Sequence, residues 1–460
     1  MIKRVKKYIK KFGEAKKRFL EYFGIRESFV LFFLVFFLFI YLLFTAPGVI
    51  GTTFIMFLQL SPLWLPFVLW RLTKESWVHY IQGEFFASQK YILLEIKVPR
   101  DVSKSPKAME LVFSGLHIGA GESNFIARWW YGKTRPWFSF ELASIEGKIH
   151  FFIWTRAFFK PSIETQFYAA YPEIEIVEVE DYTKGFRYIK EAMGLWGCDF
   201  ILSGEDVMPI KTYVDYELDK DPKEELKITP IAHLFEYLSS FGPGEQLWLQ
   251  ILVRTNKEKR FKEDSWAKED RWAAEGRAKV EEIRKKTASK FTDASGKEMD
   301  GFPNPTPSQM EQIRAIERSI SKQPFDVGIR AIYLAQKKKF RPIGIIGLLG
   351  IFKQFGSANL NGFRPAHWNA LFDFPWQDFR GMREGWIRGR VLEMFRKRAW
   401  FYPPFSWKQL ILHPPIHKHH FVLTTEELAT IYHIPSRVVQ APGLVRIQAA
   451  KAEAPPNLPV

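Results

Sequence analysis

Residues 137–155 read WFSFELASIEGKIHFFIWT, and this stretch decides the fold. Residues 137–144 and 148–155 form two alternating runs, the pattern of a half-buried β-strand. Glu146 and Gly147 separate the runs and provide the residues of a tight turn. The stretch therefore predicts a β-hairpin.

The segments on either side of the hairpin extend it to a larger unit. Residues 91–98 are rich in strand-forming residues and end at a proline, and residues 108–116 follow Pro106 as a helix. Downstream, Pro161 opens a second helix, and residues 173–180 alternate acidic and apolar side chains as a strand. The order β-α-β-β-α-β predicts a ferredoxin-like sheet with both helices on one face.

The same order of elements recurs further along the chain. The predicted elements are a strand at 208–218, a helix at 229–238, strands at 246–254 and 325–334, and a helix at 342–352. Between the two later strands, the mixed charges of residues 256–290 and the helix at 308–319 predict an inserted helical hairpin. Such a charge-dense segment is usually a solvated helix pair, although a projecting arm can also dock a partner.

The amino-terminal part has a different composition. Residues 28–70 contain no Asp, Glu, Lys or Arg over 43 positions, about twice what one membrane-spanning helix requires. Residues 45–48, Thr-Ala-Pro-Gly, interrupt the run and predict a transmembrane hairpin with spans at 28–44 and 49–70. A cleaved signal peptide and a buried hairpin of a soluble protein are the less favoured interpretations.

Residues 1–27 carry ten Lys or Arg against three Glu, a net charge of +7. A basic flank stays on the cytoplasmic side, so both termini are expected in the cytoplasm and the protein in the inner (cytoplasmic) membrane. The same segment suits an amphipathic helix lying on anionic membrane lipid.

The predicted fold class is therefore α+β, with a two-helix transmembrane hairpin followed by two ferredoxin-like units. The predicted domains are a basic cytoplasmic segment (1–27), the hairpin (28–70), a first ferredoxin-like domain (71–200), a second one (201–380) with its insertion at 256–322, and a basic, Pro-rich carboxy-terminal segment (381–460).

Catalytic motifs are missing from the sequence. It has no GxxxxGK[ST] phosphate loop, no G-x-S-x-G and no H-E-x-x-H, and its one cysteine, Cys198, excludes an internal disulfide. We predict a protein that is not an enzyme and needs no cofactor. Four histidines, His413, His417, His419 and His420, lie in a Pro-rich loop without a nearby carboxylate, and we predict no metal site there.

One stretch concentrates basic and aromatic residues. Its cations are Arg380, Arg383, Arg388, Arg390, Arg396, Lys397 and Arg398. With Trp386, Phe395 and Trp400 among them, they could contact phosphates and stack on bases of DNA. The alternative is a helix whose apolar residues pack inward while its arginines face solvent.

Several phrases of the sequence resemble a known family. They are KSPKAME at 104–110, PWFSFELASIEG at 136–147, IETQ at 163–166, YPEIEI at 171–176, FKQF at 352–355, NLNGFRP at 359–365, ELATIYHIP at 427–435 and APPNLP at 454–459. Together they resemble the membrane-anchored region that precedes the ATPase domain in conjugative type IV secretion ATPases of the HerA/FtsK-like class. The Walker residues of that family have no counterpart here, so the resemblance implies that a separate polypeptide supplies the ATPase.

These observations predict a noncatalytic inner-membrane scaffold of a type IV secretion or conjugation-like machine that seats or recruits a separate P-loop ATPase. A membrane-tethered nucleic-acid-binding module is the alternative. A membrane enzyme using Glu141, Glu146 or the histidines is a third and weaker hypothesis. The expected partners are membrane lipid, the ATPase, DNA and further copies of the chain.

Overall fold

The computed structural model describes residues 36–37, 40–41, 44–45, 47–100, 102, 104–122, 124–220, 229–257, 259–261, 268–292, 298–366, 378, 382–402, 420–437, 439 and 441–447. The chain divides into two compact units, residues 1–80 with 370–386, and residues 81–369 with 387–460. Among the described residues of the first unit, helix α1 covers Pro47–Gln59, and helix α2 begins in this unit and covers Ser61–Ser88.

The second unit is built on strands. They are β1 Tyr91–Pro99, β2 Trp137–Ile145, β3 Lys148–Arg156, β4 Glu175–Val179, β5 Met193–Leu202, β6 Glu245–Thr255, β7 Lys259–Phe261, β8 Lys268–Asp270, β9 Ala288–Thr292, β10 Glu298–Pro303, β11 Pro324–Gln336, β12 Phe363–Ala366, β13 Phe421–Thr424 and β14 Arg446–Ile447. The central strands are buried over nearly their whole length because both faces of the sheet are covered.

Helices connect the strands. They are α3 Lys107–Gly115, α4 Phe125–Trp129, α5 Lys160–Ala170, α6 Pro230–Ser239, α7 Arg271–Thr287, α8 Pro307–Ile320, α9 Pro342–Gly350, α10 Met382–Arg396 and α11 Thr425–Ile431. In α3, Met109, Val112 and Phe113 are buried, the spacing at which one face of a helix is apolar.

Ten of the strands form a single sheet in the order β12-β5-β11-β6-β2-β3-β1-β14, with β13 also paired to β11 and β4 also paired to β1. Within it, β4-β1-β3-β2 and β12-β5-β11-β6 are two antiparallel halves. Strands β2 and β6 join the halves along nine antiparallel residue pairs, from Trp137 with Arg254 to Ile145 with Gln246. We call this β2-β6 junction the seam.

The predicted α+β class is confirmed, but the predicted architecture is wrong. It placed two ferredoxin-like units one after the other, each with its own sheet, whereas the structure has one continuous ten-stranded sheet. The physical reason is that β2 and β6 would be edge strands of separate units, and pairing them satisfies backbone groups that an edge leaves open. The prediction of a strand at 208–218 is also wrong, because β5 occupies 193–202 instead.

The predicted transmembrane hairpin is corrected as well: among the helices of the described residues, none combines the length and the apolar character needed to cross a bilayer. Helix α1 has 13 residues, about 20 Å of length. In α2 the apolar sequence ends at Trp70, and charged residues follow. The first predicted span, 28–44, lies mostly outside the described residues, which include only five of its positions. The multi-pass inner-membrane localisation, with both termini in the cytoplasm, is corrected with the hairpin from which it was inferred.

The core lies on both faces of the sheet. On one face, helices α3, α5, α6, α9 and α11 cover the larger cluster, which includes Phe140, Ile251 and Ile329. On the opposite face, Trp248 packs in a smaller cluster with Leu392 and Phe395 of α10. A separate cluster joins α7 to α8 and to the sheet unit.

Candidate functional site

The stretch predicted to bind nucleic acid ends at Arg398, which forms a buried ion pair. The side chain of Arg398 has no exposed surface, and neither has that of Glu141 on β2. The guanidinium Nε lies 2.9 Å from Oε1 of Glu141 and one terminal nitrogen lies 3.0 Å from Oε2, a two-point contact. Asp181 pairs with the same guanidinium. Arg398 therefore points into the protein and is not available to a phosphate.

Glu141 is the centre of a polar network at the seam. Its register partner across the seam is Gln250 of β6, whose amide donates to Oε1 of Glu141 at 3.0 Å. Ser139 donates to the same carboxylate at 2.7 Å and Tyr182 at 2.9 Å. Both halves of the sheet thus supply donors to one buried carboxylate, so its hydrogen bonds fix the register of the seam.

The electrostatics of the network favour the charged forms of Arg398 and Asp181. Burial opposes the charge of Arg398, but Glu141 and Asp181 together raise the pKa of its guanidinium. Burial alone would raise the pKa of Asp181, and the hydrogen bond and charge of Arg398 hold it below the usual value. Arg398 also has a positive φ of 48°, a backbone conformation that is costly for a residue with a side chain.

The residues around Arg398 form a segment that lies across the sheet, and we call residues 395–402 the strap. The ring of Phe395 lies 5.5 Å from that of Trp248, between centroids. Trp400 covers β11 at Gly328, where a Cβ atom would lie 2.2 Å from the indole. Position 328 therefore needs glycine for the close approach of the strap.

The remaining cations of the predicted stretch are placed differently from one another. Arg380 lies outside the described residues, and Arg383 belongs to the first unit. Arg388, Arg390 and Arg396 are half-buried, and burial lowers the pKa of Arg390. Lys397 is exposed and lies 2.6 Å from Glu393 one helical turn earlier. The stretch is thus not one continuous basic surface.

A second ion pair lies near the other end of the strap. Arg254 of β6 donates through two nitrogens to Oδ2 of Asp326 on β11, at 3.0 and 2.7 Å. The aromatic ring of Phe401 stacks over this guanidinium, 4.3 Å from Cζ to the ring centroid. The strap is therefore held to the sheet by the ion pair of Arg398 with Glu141 and by the contact of the Phe401 ring with the guanidinium of Arg254.

Helix α11 contributes buried carboxyl groups. Thr424 and Glu427 form a capping box, and Glu427 also accepts from the backbone N–H of Ile210 at 3.0 Å. Burial raises the pKa of Glu427 to about 7, although these hydrogen bonds lower it. Glu426 lies 2.9 Å from Nε of Arg318 on α8, an ion pair between α11 and the inserted helices.

An exposed aromatic surface lies on helix α4 and the turn that follows it. Asn124 caps α4 by accepting from the N–H of Ala127 at 2.7 Å. Gly132 closes the turn at a φ of 57°, where a Cβ atom would lie 2.3 Å from the carbonyl oxygen of Ile81. We call the exposed side chains held by this backbone the aromatic turn; they are Phe125, Ile126, Trp130 and Tyr131. Sequence reasoning missed it, although five large apolar residues in a seven-residue segment, of which these four are exposed, were the available signal.

The other candidate residues do not assemble into a site. His413, His417 and His419 lie outside the described residues, and His420 lies 3.9 Å from Asp326. In the part of the chain that the structure describes, no group of His, Cys, Asp or Glu could hold a metal ion. Glu146 accepts from the N–H of Gly244 at 2.9 Å, a contact between two turns at one end of the sheet.

Comparison with known proteins gives one match. A family described as Domain of unknown function (DUF8128) matches residues 82–444. No curated protein and no solved structure matches the chain. No comparison supports the assignment to a type IV secretion or conjugation machine, and the membrane hairpin predicted with it is not found among the described residues.

Proposed function

The chain belongs to the DUF8128 family, and we propose that it is a noncatalytic scaffold that recruits a separate P-loop ATPase through the aromatic turn. The observation that carries the proposal is the exposure of four large apolar side chains on a short, fixed backbone. Phe125 is 69% exposed and Trp130 is 68% exposed.

The composition of the aromatic turn is that of a protein-binding surface. Trp, Tyr, Phe and Arg are enriched at the centres of protein interfaces, where few residues provide most of the binding energy. Arg128 on α4 is exposed beside these apolar side chains. The backbone is held by the Asn124 cap and by Gly132, so little ordering is required when a partner binds.

The choice of an ATPase as the partner rests on the resemblance of the sequence phrases. In the family that they resemble, the corresponding region precedes a nucleotide-binding domain in the same polypeptide. This sequence contains no phosphate loop, and we propose that the ATPase binds as a second chain.

The test begins with cross-linking of the full chain in its native cells and identification of a P-loop ATPase among the products. The affinity of that purified ATPase for the full chain is then measured with Trp130→Ala and with Phe158→Ala as control. Phe158 is 83% exposed and lies outside the aromatic turn. We expect Trp130→Ala to weaken binding at least tenfold, about 1.4 kcal/mol, and Phe158→Ala to leave it unchanged.

Two results would contradict the proposal. One is an exhaustive cross-linking experiment without a P-loop ATPase, and the other is an equal loss of affinity in both variants.

A further inference from the structure

Three consecutive lysines lie at one end of the large sheet. Lys337, Lys338 and Lys339 form a single 3-10 turn directly after β11, and all three side chains are exposed. The segment that leads into β5 reaches the same place, because the N–H of Lys337 donates to the carbonyl of Ala192 at 2.9 Å.

That neighbouring segment is also basic. Lys184, Arg187 and Lys190 are exposed along it. The carbonyl of Lys190 accepts from Nζ of Lys337 at 3.2 Å, which joins the two segments. We call these two groups of cations together, residues 184, 187, 190 and 337–339, the basic end.

The backbone of the lysine turn is fixed by the residue pair that follows it. Phe340 stacks on Tyr333 with 5.0 Å between ring centroids. Arg341 places two nitrogens 2.7 and 2.6 Å from the carboxylate of Glu245, which is buried at the start of β6. The three lysines are thus presented to solvent from a fixed turn.

The charges of the lysine turn are not neutralised by carboxylates. Within the described part of the chain, no carboxylate forms an ion pair with Lys337, Lys338 or Lys339. Nζ of Lys339 donates to the carbonyl of Pro243 at 2.7 Å, and an ammonium group retains two further donors after one such bond. Two carboxylates lie near the lysine turn. The carboxylate of Glu245 is already engaged by Arg341 and Tyr333, and Glu191 is exposed.

From this arrangement we infer that the basic end binds the phosphate backbone of a nucleic acid. The cations lie on two chain segments that are joined at Lys337 and Lys190, and positive charge spread over two segments fits a polymer with regularly repeated charge. Contacts between a lysine ammonium and phosphate carry no information on base sequence, so binding through such contacts is expected to be independent of sequence. This inference does not depend on the proposed ATPase.

The experiment measures fluorescence anisotropy of a labelled DNA duplex with the full chain over a range of salt concentrations. The test variant replaces Lys337, Lys338 and Lys339 with Ala. A matched control removes three other exposed lysines, Lys220, Lys285 and Lys286, each of which already pairs with a nearby glutamate.

We expect the test variant to bind at least tenfold more weakly, and its salt dependence of log K to fall by up to about 3, near 0.9 per lost phosphate contact. The control is expected to bind like the wild type, although both variants lose the same charge. Replacing the three lysines with Arg should keep the affinity, and thermal unfolding should show that all variants are folded.

Three results would overturn the inference. They are no binding of the duplex by the wild type, an equal loss of affinity in the test and control variants, or displacement of the duplex by polyglutamate at equal charge concentration, which would indicate an acidic protein segment as the partner.

Discussion

Two basic tripeptides of this chain look alike in sequence and differ completely in structure. Arg396-Lys397-Arg398 ends helix α10, and its last residue is buried against Glu141 at the seam. Lys337-Lys338-Lys339 follows β11, and its side chains are exposed. The difference shows that the number of charges in a run does not predict a binding surface; what decides is whether a buried carboxylate lies opposite the run.

The largest expected effect is a difference in the free energy of unfolding when one cation of each tripeptide is replaced. Replacing Arg398 with Ala leaves the carboxylate of Glu141 buried without its cation, which we expect to lower the free energy of unfolding by about 3–5 kcal/mol. Lys338→Ala removes a charge of the same sign from the surface and should change it by less than about 0.5 kcal/mol. Urea unfolding of both variants measures the two losses in the free energy of unfolding. Equal losses would show that burial of Arg398 against Glu141 contributes no more stability than a surface lysine.

The next expected effect concerns the close approach of the strap to the sheet. Gly328→Ala places a methyl group against the indole of Trp400, which must move, and we expect a loss of about 1–3 kcal/mol in the free energy of unfolding. Gly185→Ala is the matched control, because a Cβ atom there meets no other atom within 4 Å. Thermal unfolding in the presence and absence of urea measures both variants. A strap that does not pack on β11 would make the two substitutions equivalent.

The third prediction uses pH and extends the comparison to a buried group without a cation. The pKa of Glu427 is raised to about 7 in the folded protein, against about 4.5 when it is unfolded. Between these values the folded state binds more protons, so the contribution of Glu427 falls as pH rises, by at most about 1.4 kcal/mol per pH unit.

Glu427→Gln removes this titration. The difference in unfolding free energy between variant and wild type should therefore shift in favour of the variant from pH 5 to pH 7. Glu281→Gln, at an exposed helix position, is the matched control for the Glu-to-Gln substitution itself. A pH-independent difference for Glu427→Gln would show that this carboxyl group has an ordinary pKa.

The smallest expected effect lies within the first tripeptide itself. Lys397 pairs with Glu393 on the exposed side of α10, next to the buried Arg398. Such a surface pair contributes little, so Lys397→Ala should change the free energy of unfolding by less than about 1 kcal/mol. A loss as large as that of Arg398→Ala would mean that α10 is positioned by its surface charges and not by the ion pair at the seam.

Much of the local structure was predictable from sequence. The hairpin of β2 and β3 follows from two strand-forming runs around Glu146 and Gly147, and the structure confirms its pairing. The helix predicted at 108–116 is present as α3, because its apolar residues repeat at helical spacing. These signals act within one element and do not depend on distant parts of the chain.

The long-range structure could not be predicted in the same way. The pairing of β2 with β6 joins residues more than 100 positions apart. The sequence pattern of a buried strand does not show which strand lies beside it, or whether the strand lies at an edge or inside a sheet. The burial of Arg398 depends on Glu141, 257 positions away. Without knowledge of that carboxylate, the Arg-rich and aromatic composition around residue 390 resembled a nucleic-acid site.

The membrane prediction failed for a related reason. The composition of residues 28–70 shows how many apolar residues are present. It does not show whether one uninterrupted helix contains enough of them to cross a bilayer. The structure separates α1 from α2 at Leu60, and α2 becomes charged after Trp70.

Whether the buried ion pair of Arg398 and Glu141 holds the strap on the seam is tested most directly by a double-mutant cycle between the two residues. The cycle uses urea unfolding of wild type, Glu141→Gln, Arg398→Met and the double variant. If the buried pair anchors the strap to the seam, the two single losses should be strongly non-additive, with a coupling energy above about 2 kcal/mol. A coupling energy near zero would show that Arg398 and Glu141 act independently and that their ion pair does not hold the strap on the seam.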